Sequence, residues 1–512
     1  SVKESCRVLQ CHRSVGMDAG NDEPVIHSKK VCVVGAGMAG LAAARELQRE
    51  GHAVTVMEQS GDVGGQWLYD PRTDADDPLG AAVPVRVPSS IYACLRLISP
   101  REVTGFSEFQ FTPKDGDGRD PRRFPGHREV HSYLRDFCDA FGLMEAVRLN
   151  THVMRVAPIA VPMPTSTTRQ WAVRSVRLAG SDTYDAAQEK EEEEEVFDAV
   201  VVATGHNSQP MLPSGIEGME EWRGRQLHSH SYRTPEPLRG EAVVVVGCGD
   251  SGKDIALDLC RVAREVHLAA NASSTEEATT PAIAKMLANH RDVLRLHPRI
   301  CRLHPDGHVS FADGSSIVAD TVIYCTGYGY SFPFLDTGGA VAVESDVVGP
   351  LFEHVFPPSL APWLSFVGLP RKILVPWFFE TQARWIAQVL SGRRALPSEE
   401  EMLRSVEEHY RAMEAAGVPR KHTHNIGGVD ILKMYELGEK YCDSSPIEDW
   451  KKELVMSKIA SMNDDAETFR DSGDDSENVQ KGVQAWRGLA ARANKDKTMA
   501  TGEAEADALG HG

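Results

Sequence analysis

The sequence predicts an α/β protein with two doubly wound, three-layer domains, the second inserted into the first. One pattern occurs twice, over 31–57 and 242–269: an apolar β-branched run, a glycine triplet, an Ala/Leu-rich helix and a second apolar run. Two more apolar runs, 200–205 and 322–327, end in Thr-Gly, as expected where the chain passes between domains. These repeats and crossings together predict two similar sheets on one chain.

The crossings set the expected domain limits. We expect the first domain to comprise 29–208 and 326–450, and the second to comprise 209–325. Residues 1–28 have no clear apolar period, and we expect a mobile leader. The segment 451–512 holds nine basic and twelve acidic residues and few large apolar ones, so we expect a polar and mostly mobile tail.

Composition narrows the function classes. The 512 residues include 55 basic and 74 acidic side chains, a formal charge of −19 that argues against a nucleic-acid partner. Ten scattered cysteines are too few for a disulfide scaffold and indicate a reducing compartment. No apolar run is long enough to span a bilayer. We therefore expect a cytoplasmic protein with a small-molecule substrate and no membrane partner.

The first glycine triplet predicts a dinucleotide site. It is formed by Gly35, Ala36, Gly37, Met38, Ala39 and Gly40. Its glycines would allow a tight turn, close approach of a pyrophosphate, and close helix packing, while the helix N-terminus offers N–H groups to phosphate. Glu58 lies 23 residues after Gly35, at the end of the second strand, where a carboxylate accepts ribose hydroxyls. Gln66 and Trp67, in a Gly-Gly-Gln-Trp run, indicate FAD.

The second triplet predicts a different nucleotide. Its residues are Gly247, Cys248, Gly249, Asp250, Ser251 and Gly252. No carboxylate stands where Glu58 stands in the first copy; the strand end carries Ala270 and Asn271 instead. Because a carboxylate would repel a 2′-phosphate, its absence permits NADPH, with NADH or weak binding as alternatives. The arginine usual at NADPH sites would then come from elsewhere, from Arg233, Arg264 or Arg291.

Two nucleotide sites on one chain imply electron transfer from a nicotinamide to a flavin. Thr326 and Gly327, at the second Thr-Gly, are expected to return the chain to the flavin domain and to take part in cofactor binding. Three histidines, His206, His228 and His230, have no carboxylate or further ligand at metal-site spacing, so we expect no metal.

One motif identifies a family. The run Trp222-x-Gly224-x-x-x-His228-x-x-x-Tyr232, just before the second triplet, resembles the signature of flavin-containing monooxygenases, most closely their plant and green-lineage members. Further segments that resemble the family lie at 124–130, 325–335 and 368–385. The resemblance implies that NADPH reduces FAD, that the reduced flavin captures dioxygen as a C4a-hydroperoxide, and that sulfur or nitrogen of a small metabolite attacks it. No catalytic side chain is identified, because the resemblance implies that the flavin cofactor itself activates dioxygen.

One position departs from the family. The family stretch at 92–102 usually carries an asparagine next to the flavin, and Ile98 stands there in this chain. Isoleucine neither donates nor accepts a hydrogen bond, so that support is missing unless a one-residue shift lets another group serve. The alternative to an efficient oxygenase is therefore a weakened relative, an NADPH oxidase or a dinucleotide-binding interaction protein.

Overall fold

The computed structural model describes residues 27–159, 169–178, 192–426, 431–473 and 475–489, with backbone alone at 431–435. Almost all of the predicted leader, 1–28, lies outside these residues. Within the described ranges, no helix is both long enough and apolar enough to cross a membrane.

The first sheet has five parallel strands in the order β20, β7, β1, β2, β3. They are β1 (Lys30–Val34), β2 (Ala53–Met57), β3 (Val147–Arg148), β7 (Ala199–Val202) and β20 (Leu364–Phe366). The central strands read as continuous β-branched runs because both faces are covered and fully buried. One face packs against helices α1 (Met38–Arg49), α3 (His127–Phe141) and α7 (Trp377–Leu390).

The second sheet repeats this plan with strands that lie between β7 and β20 in the chain. Its order is β12, β11, β10, β16, β9, all parallel. The strands are β9 (Arg225–His228), β10 (Ala242–Val246), β11 (Glu265–Ala269), β12 (Leu294–His297) and β16 (Thr321–Tyr324). Helices α4 (Asp250–Leu259) and α6 (Pro281–Asn289) cover one face.

The third layer of each domain is a three-stranded antiparallel sheet. In the first domain it contains β4 (Thr151–Pro158), β5 (Trp171–Arg177) and β6 (Glu192–Phe197). In the second it contains β13 (Ile300–Leu303), β14 (His308–Phe311) and β15 (Ser316–Val318). The predicted fold class, an α/β protein with one three-layer domain inserted in another, is thus confirmed.

Short elements complete the described chain. The two crossings lie side by side as a ribbon of β8 (Gln209–Pro210) and β17 (Tyr328–Gly329). The others are β18 (Ala342–Glu344), β19 (Val347–Gly349), α2 (Arg101–Thr104), α5 (Thr275–Ala278), α8 (Glu399–Ala415), α9 (Ile431–Tyr441), α10 (Asp449–Asp464) and α11, at 477–489.

The C-terminal tail corrects one expectation. Most of 451–489 is not a mobile tail but two helices, α10 and α11, packed on the protein. Four apolar residues of this segment, Leu454, Phe469, Val479 and Trp486, are all below 9 % exposed, whereas Met456, Ile459 and Leu489 are exposed. Val479, Val483 and Trp486 follow the i, i+4, i+7 spacing of one helix face, which overrides the polar composition. Residues 490–512 lie outside the described part.

Candidate functional site

The first glycine triplet forms a tight strand-to-helix turn at the carboxyl edge of the first sheet. Gly35 has a φ of +100°, a region that favours glycine, and a Cβ there would lie 2.7 Å from the carbonyl oxygen of Ala203. A Cβ on Gly40 would overlap the carbonyl oxygen of Gly35. Both positions exclude any larger residue, which fixes where α1 begins.

The start of α1 can receive a phosphate. Gly37 is its N-cap, and the first helical hydrogen bond runs from the N–H of Leu41 to the carbonyl of Gly37. The N–H groups of Met38, Ala39 and Gly40 therefore point out of the helix N-terminus, where the helix dipole also favours an anion.

Glu58 lies on the same edge and touches the triplet. Its carboxylate accepts hydrogen bonds from the N–H of Ala36 at 2.7 Å and of Ser60 at 2.8 Å, and the residue is buried. These bonds orient the carboxylate beside the turn, as ribose recognition requires. The geometry fits the predicted role.

The predicted Gln66 and Trp67 also reach this site. They belong to a short 3-10 helix, Gly65–Trp67, and a Cβ on Gly65 would lie 2.8 Å from the Cα of Gly37. Gln66 Oε1 accepts from Asn207 at 2.7 Å, and Trp67 packs against the first-domain core. The segment therefore packs directly on the triplet.

The second triplet has the same geometry. Gly247 has a φ of +109°, and a Cβ there would lie 2.6 Å from the carbonyl oxygen of Cys325, while a Cβ on Gly252 would overlap the carbonyl oxygen of Gly247. Gly249, the N-cap of α4, differs because a Cβ there would meet no atom within 4 Å. The N–H groups of Asp250 and Ser251 point out at this open face.

A cavity of about 620 Å³ adjoins this triplet. It is lined by Cys248, Lys253 and Asn271, by the start of α6 and by Asn463 of α10. Among the described residues that line it, Lys253 is the basic one. Lys253 follows Gly252 directly in the sequence, a signal that our sequence reasoning missed. Its Nζ lies 3.6 Å from Oδ1 of Asp250, and the carboxylates of Glu277 and Asp464 also line the cavity.

The three arginines considered for the 2′-phosphate are engaged or placed elsewhere. Arg233 donates to backbone carbonyls, including those of Asp70 at 2.6 Å and Ser89 at 2.8 Å. Arg264 precedes β11 and Arg291 precedes β12, so both lie at the sheet edge opposite Asn271. Because a strand rises about 3.3 Å per residue, the length of β11 and of β12 separates these two arginines from the cavity at the other end of the sheet.

The second Thr-Gly fastens the interdomain ribbon. Thr326 Oγ1 donates to the carbonyl oxygen of Met211 at 2.5 Å, and the N–H of Met211 donates to the carbonyl of Gly327 at 3.0 Å. The preceding residue, Cys325, contacts the second triplet at Gly247. This turn therefore couples the ribbon to the nucleotide edge.

The family motif has a structural place at the beginning of the second domain. Trp222 is buried and its ring occupies the space above Gly224, where a Cβ would overlap it. His228 ends β9 at the sheet edge, and the hydroxyl of Tyr232 donates to Asp258 of α4 at 2.7 Å. The motif holds the edge strand and helix of the second domain together.

The histidines near the junction are neutral at physiological pH. Burial lowers the pKa of His206 to about 4, of His228 to about 3 and of His230 to about 4. His206 Nδ1 lies 2.8 Å from the carbonyl oxygen of Gly368, and His230 Nε2 lies 2.8 Å from that of Val87. Over the described ranges, no cluster of three or more His, Cys, Asp or Glu side chains is arranged to hold a metal ion.

Ile98 lies beside the second triplet. It is 46 % exposed and faces Asp250, Lys253 and Asp254 of α4, with Phe469 and Arg470 of the C-terminal segment on its other side. The apolar side chain thus stands open between the domains. The sequence did not reveal that C-terminal residues reach this position.

Comparisons with known proteins identify the family of the chain. The family model described as flavin-binding monooxygenase-like matches residues 28–276 and 291–443. A flavin-containing monooxygenase of Arabidopsis thaliana, FMO GS-OX-like 8, is 49 % identical over 464 residues, covering 90 % of this chain and 96 % of that protein. The S-allyl-L-cysteine S-oxygenase of Allium sativum is 40 % identical with a TM-score of 0.80, covering 91 % of this chain and all of that one. Tmm of a Pelagibacter species, 22 % identical with a TM-score of 0.67 over 88 % of this chain and 94 % of that one, shares the fold.

Two glycine-rich strand-to-helix turns on one chain, one with a carboxylate at the end of the second strand and one without, fit a flavoprotein that takes electrons from a pyridine nucleotide. The chain belongs to the flavin-binding monooxygenase-like family. It is an FAD- and NADPH-dependent monooxygenase.

We expect two glycines of the second triplet to respond differently to alanine. Gly249→Ala leaves the free energy of unfolding within about 1 kcal/mol of wild type, because its Cβ enters open space. It weakens NADP⁺ binding about tenfold, because that space is where a pyrophosphate approaches. Gly252→Ala lowers the free energy of unfolding by about 2 kcal/mol or more through overlap with Gly247. Urea unfolding and fluorescence titration measure both; tight NADP⁺ binding by Gly249→Ala would contradict the site.

We expect Lys253→Met to reduce the preference for NADPH over NADH about tenfold or more, since a hydrogen bond to a charged group contributes about 1.5–3 kcal/mol. Steady-state KM values for the two nucleotides measure this change. Lys481→Met is the matched control, because Lys481 is exposed and pairs with Glu477 at 2.6 Å, and neither residue lines the cavity. Equal preferences in the two variants would show that Lys253 does not recognise the 2′-phosphate.

Proposed function

We propose that the protein oxygenates the sulfur, or with lower preference the nitrogen, of a small metabolite. One oxygen atom of dioxygen forms the new bond to sulfur and the other leaves as water, while NADPH supplies two electrons and is released as NADP⁺ with uptake of a proton. The observation that carries the proposal is the 40 % identity, over 91 % of the chain, to a garlic enzyme whose name states sulfur oxygenation of S-allyl-L-cysteine. The cytoplasmic location and the domain limits of the present protein stay predictions.

The residues of this chain contribute binding and orientation. The start of α1 and Glu58 would hold the phosphates and ribose of FAD, and the start of α4 with Lys253 would hold those of NADPH. When bound, the flavin accepts a hydride and activates dioxygen. His206 is half-buried and neutral, so it holds no extra proton at physiological pH, and its Nδ1 lies 2.8 Å from the carbonyl oxygen of Gly368, which orients the backbone there.

A second candidate function is an NADPH oxidase that releases hydrogen peroxide. The observation that favours it is the open, apolar Ile98 between the domains. An oxygenating site must exclude water from its reactive state, and a missing hydrogen-bond donor at the family's asparagine position weakens that state.

We expect the holoenzyme to form one sulfoxide for each NADPH consumed with S-allyl-L-cysteine as the probe. The matched control is the ether analogue with oxygen in place of sulfur, which is too weak a nucleophile to accept the oxygen atom. Product is measured by mass spectrometry, NADPH by absorbance and peroxide by a coupled assay. An NADPH consumption rate unaffected by the sulfide, with an equal yield of peroxide, would refute sulfur oxygenation and support the oxidase.

We expect Ile98→Asn to raise the ratio of sulfoxide formed to NADPH consumed, because an amide supplies the hydrogen bond that isoleucine cannot. Ile98→Leu controls for the change of shape, and it should keep the wild-type ratio. If both variants behave as wild type, hydrogen bonding at this position does not limit oxygenation.

A further inference from the structure

The C-terminal segment after the first domain, described at residues 449–473 and 475, lies across both domains. On the first domain, Asp471 pairs with Arg96 at 3.0 Å and Asp475 with Arg123 at 2.6 Å. The ring of Phe469 packs edge-on against Phe124 with centroids 5.8 Å apart. The segment is therefore anchored on the first domain by charge and by apolar contact.

The same segment is anchored on the second domain. Asp464 pairs with Lys285 at 2.7 Å. Glu467 accepts from Asn289 at 3.0 Å and lies 3.1 Å from Nε2 of His290, at the end of α6. Asn463 and Asp464 also line the cavity beside the second triplet. One short segment thus bridges the two nucleotide-binding domains.

Arg470 sits at the centre of this bridge. Its guanidinium pairs with Asp254 of α4, with Nη2 to Oδ2 at 3.0 Å, and its Nε donates to the carbonyl oxygen of Leu97 at 3.0 Å. Only 9 % of the Arg470 side chain is exposed. One side chain therefore ties the second-triplet helix to the backbone of the residue before Ile98.

Asp254 accepts a hydrogen bond from the first domain in addition to its ion pair with Arg470. The buried Tyr92 donates its hydroxyl to Oδ2 of Asp254 at 3.1 Å. Asp254 lies on α4 one turn beyond the open Gly249 N-cap, so its position and that of the nucleotide cradle are rigidly linked. Because this ion pair is partly buried, salt screens it less than an exposed pair.

We propose that Arg470 is a positioning residue for reduction of the flavin. Domains joined by modest interfaces move relative to each other by default, and hydride transfer requires donor and acceptor within a narrow distance. By fixing α4 against the Leu97 backbone, Arg470 raises the fraction of molecules in which the second nucleotide cradle has the productive orientation. The C-terminal segment thereby becomes part of the electron-transfer apparatus.

The first test measures the contact without turnover. Arg470→Met keeps much of the apolar stem and removes the ion pair, and Arg470→Lys restores the charge. We expect the amides of α4 and of residues 92–98 to exchange with deuterium about tenfold faster in Arg470→Met than in wild type, with partial recovery in Arg470→Lys. The matched control is Arg411→Met, which removes the exposed Arg411–Glu407 pair of α8. Wild-type exchange of α4 in Arg470→Met would overturn the proposal.

The second test measures the anaerobic rate of flavin reduction at saturating NADPH, without any sulfur substrate, so its result is independent of the proposed oxygenation. We expect Arg470→Met to lower this limiting rate about tenfold, Arg470→Lys to restore part of it, and Arg411→Met to leave it unchanged. Asp254→Asn weakens the same pair from the other side and should slow reduction similarly, which covers the case where Arg470→Met fails to fold. A wild-type limiting rate in either variant that folds, or a slow rate that Arg470→Lys does not improve, would overturn the proposal.

Discussion

The close contact between the first and third glycines of each triplet is the constraint on which the structure depends. Gly35 with Gly40, and Gly247 with Gly252, leave no space for a Cβ between a carbonyl oxygen and the following helix. The helix must therefore start directly at the carboxyl end of the central strand. Its outward N–H groups then face the same sheet edge in both domains, which is where nucleotide phosphates bind.

This geometry fits a protein whose described residues bind and orient cofactors. The protein supplies two cradles and their relative orientation, and the chemistry belongs to the cofactors. Its own polar groups serve that purpose: Glu58 braces the first triplet, and Thr326 fastens the ribbon between the domains. Buried histidines such as His228 stay neutral and act as hydrogen-bonding and packing groups.

The C-terminal segment adds contacts that hold the two domains together. The two chain crossings form a ribbon of only two residue pairs. The segment around Arg470 adds an ion pair with the second domain and aromatic packing on the first. It also lines the cavity next to Asn271 and covers one side of Ile98. The segment packs on the protein although its composition is mainly polar, because a few apolar residues on one helix face, such as Val479 and Trp486, are enough to dock a helix.

The sequence by itself determined the two repeated βαβ units, the insertion of one domain in the other and the family. These follow from local signals: Gly35 and Gly247 mark turns that only glycine permits, and buried parallel strands read as unbroken apolar runs. Only the tertiary structure decided which cation faces Asn271 and what lies against Ile98. Lys253 directly follows the second triplet in the sequence, but only the fold shows that it lines the same cavity as Asn271, and Arg470 reaches Ile98 because the distant segment after α10 docks there.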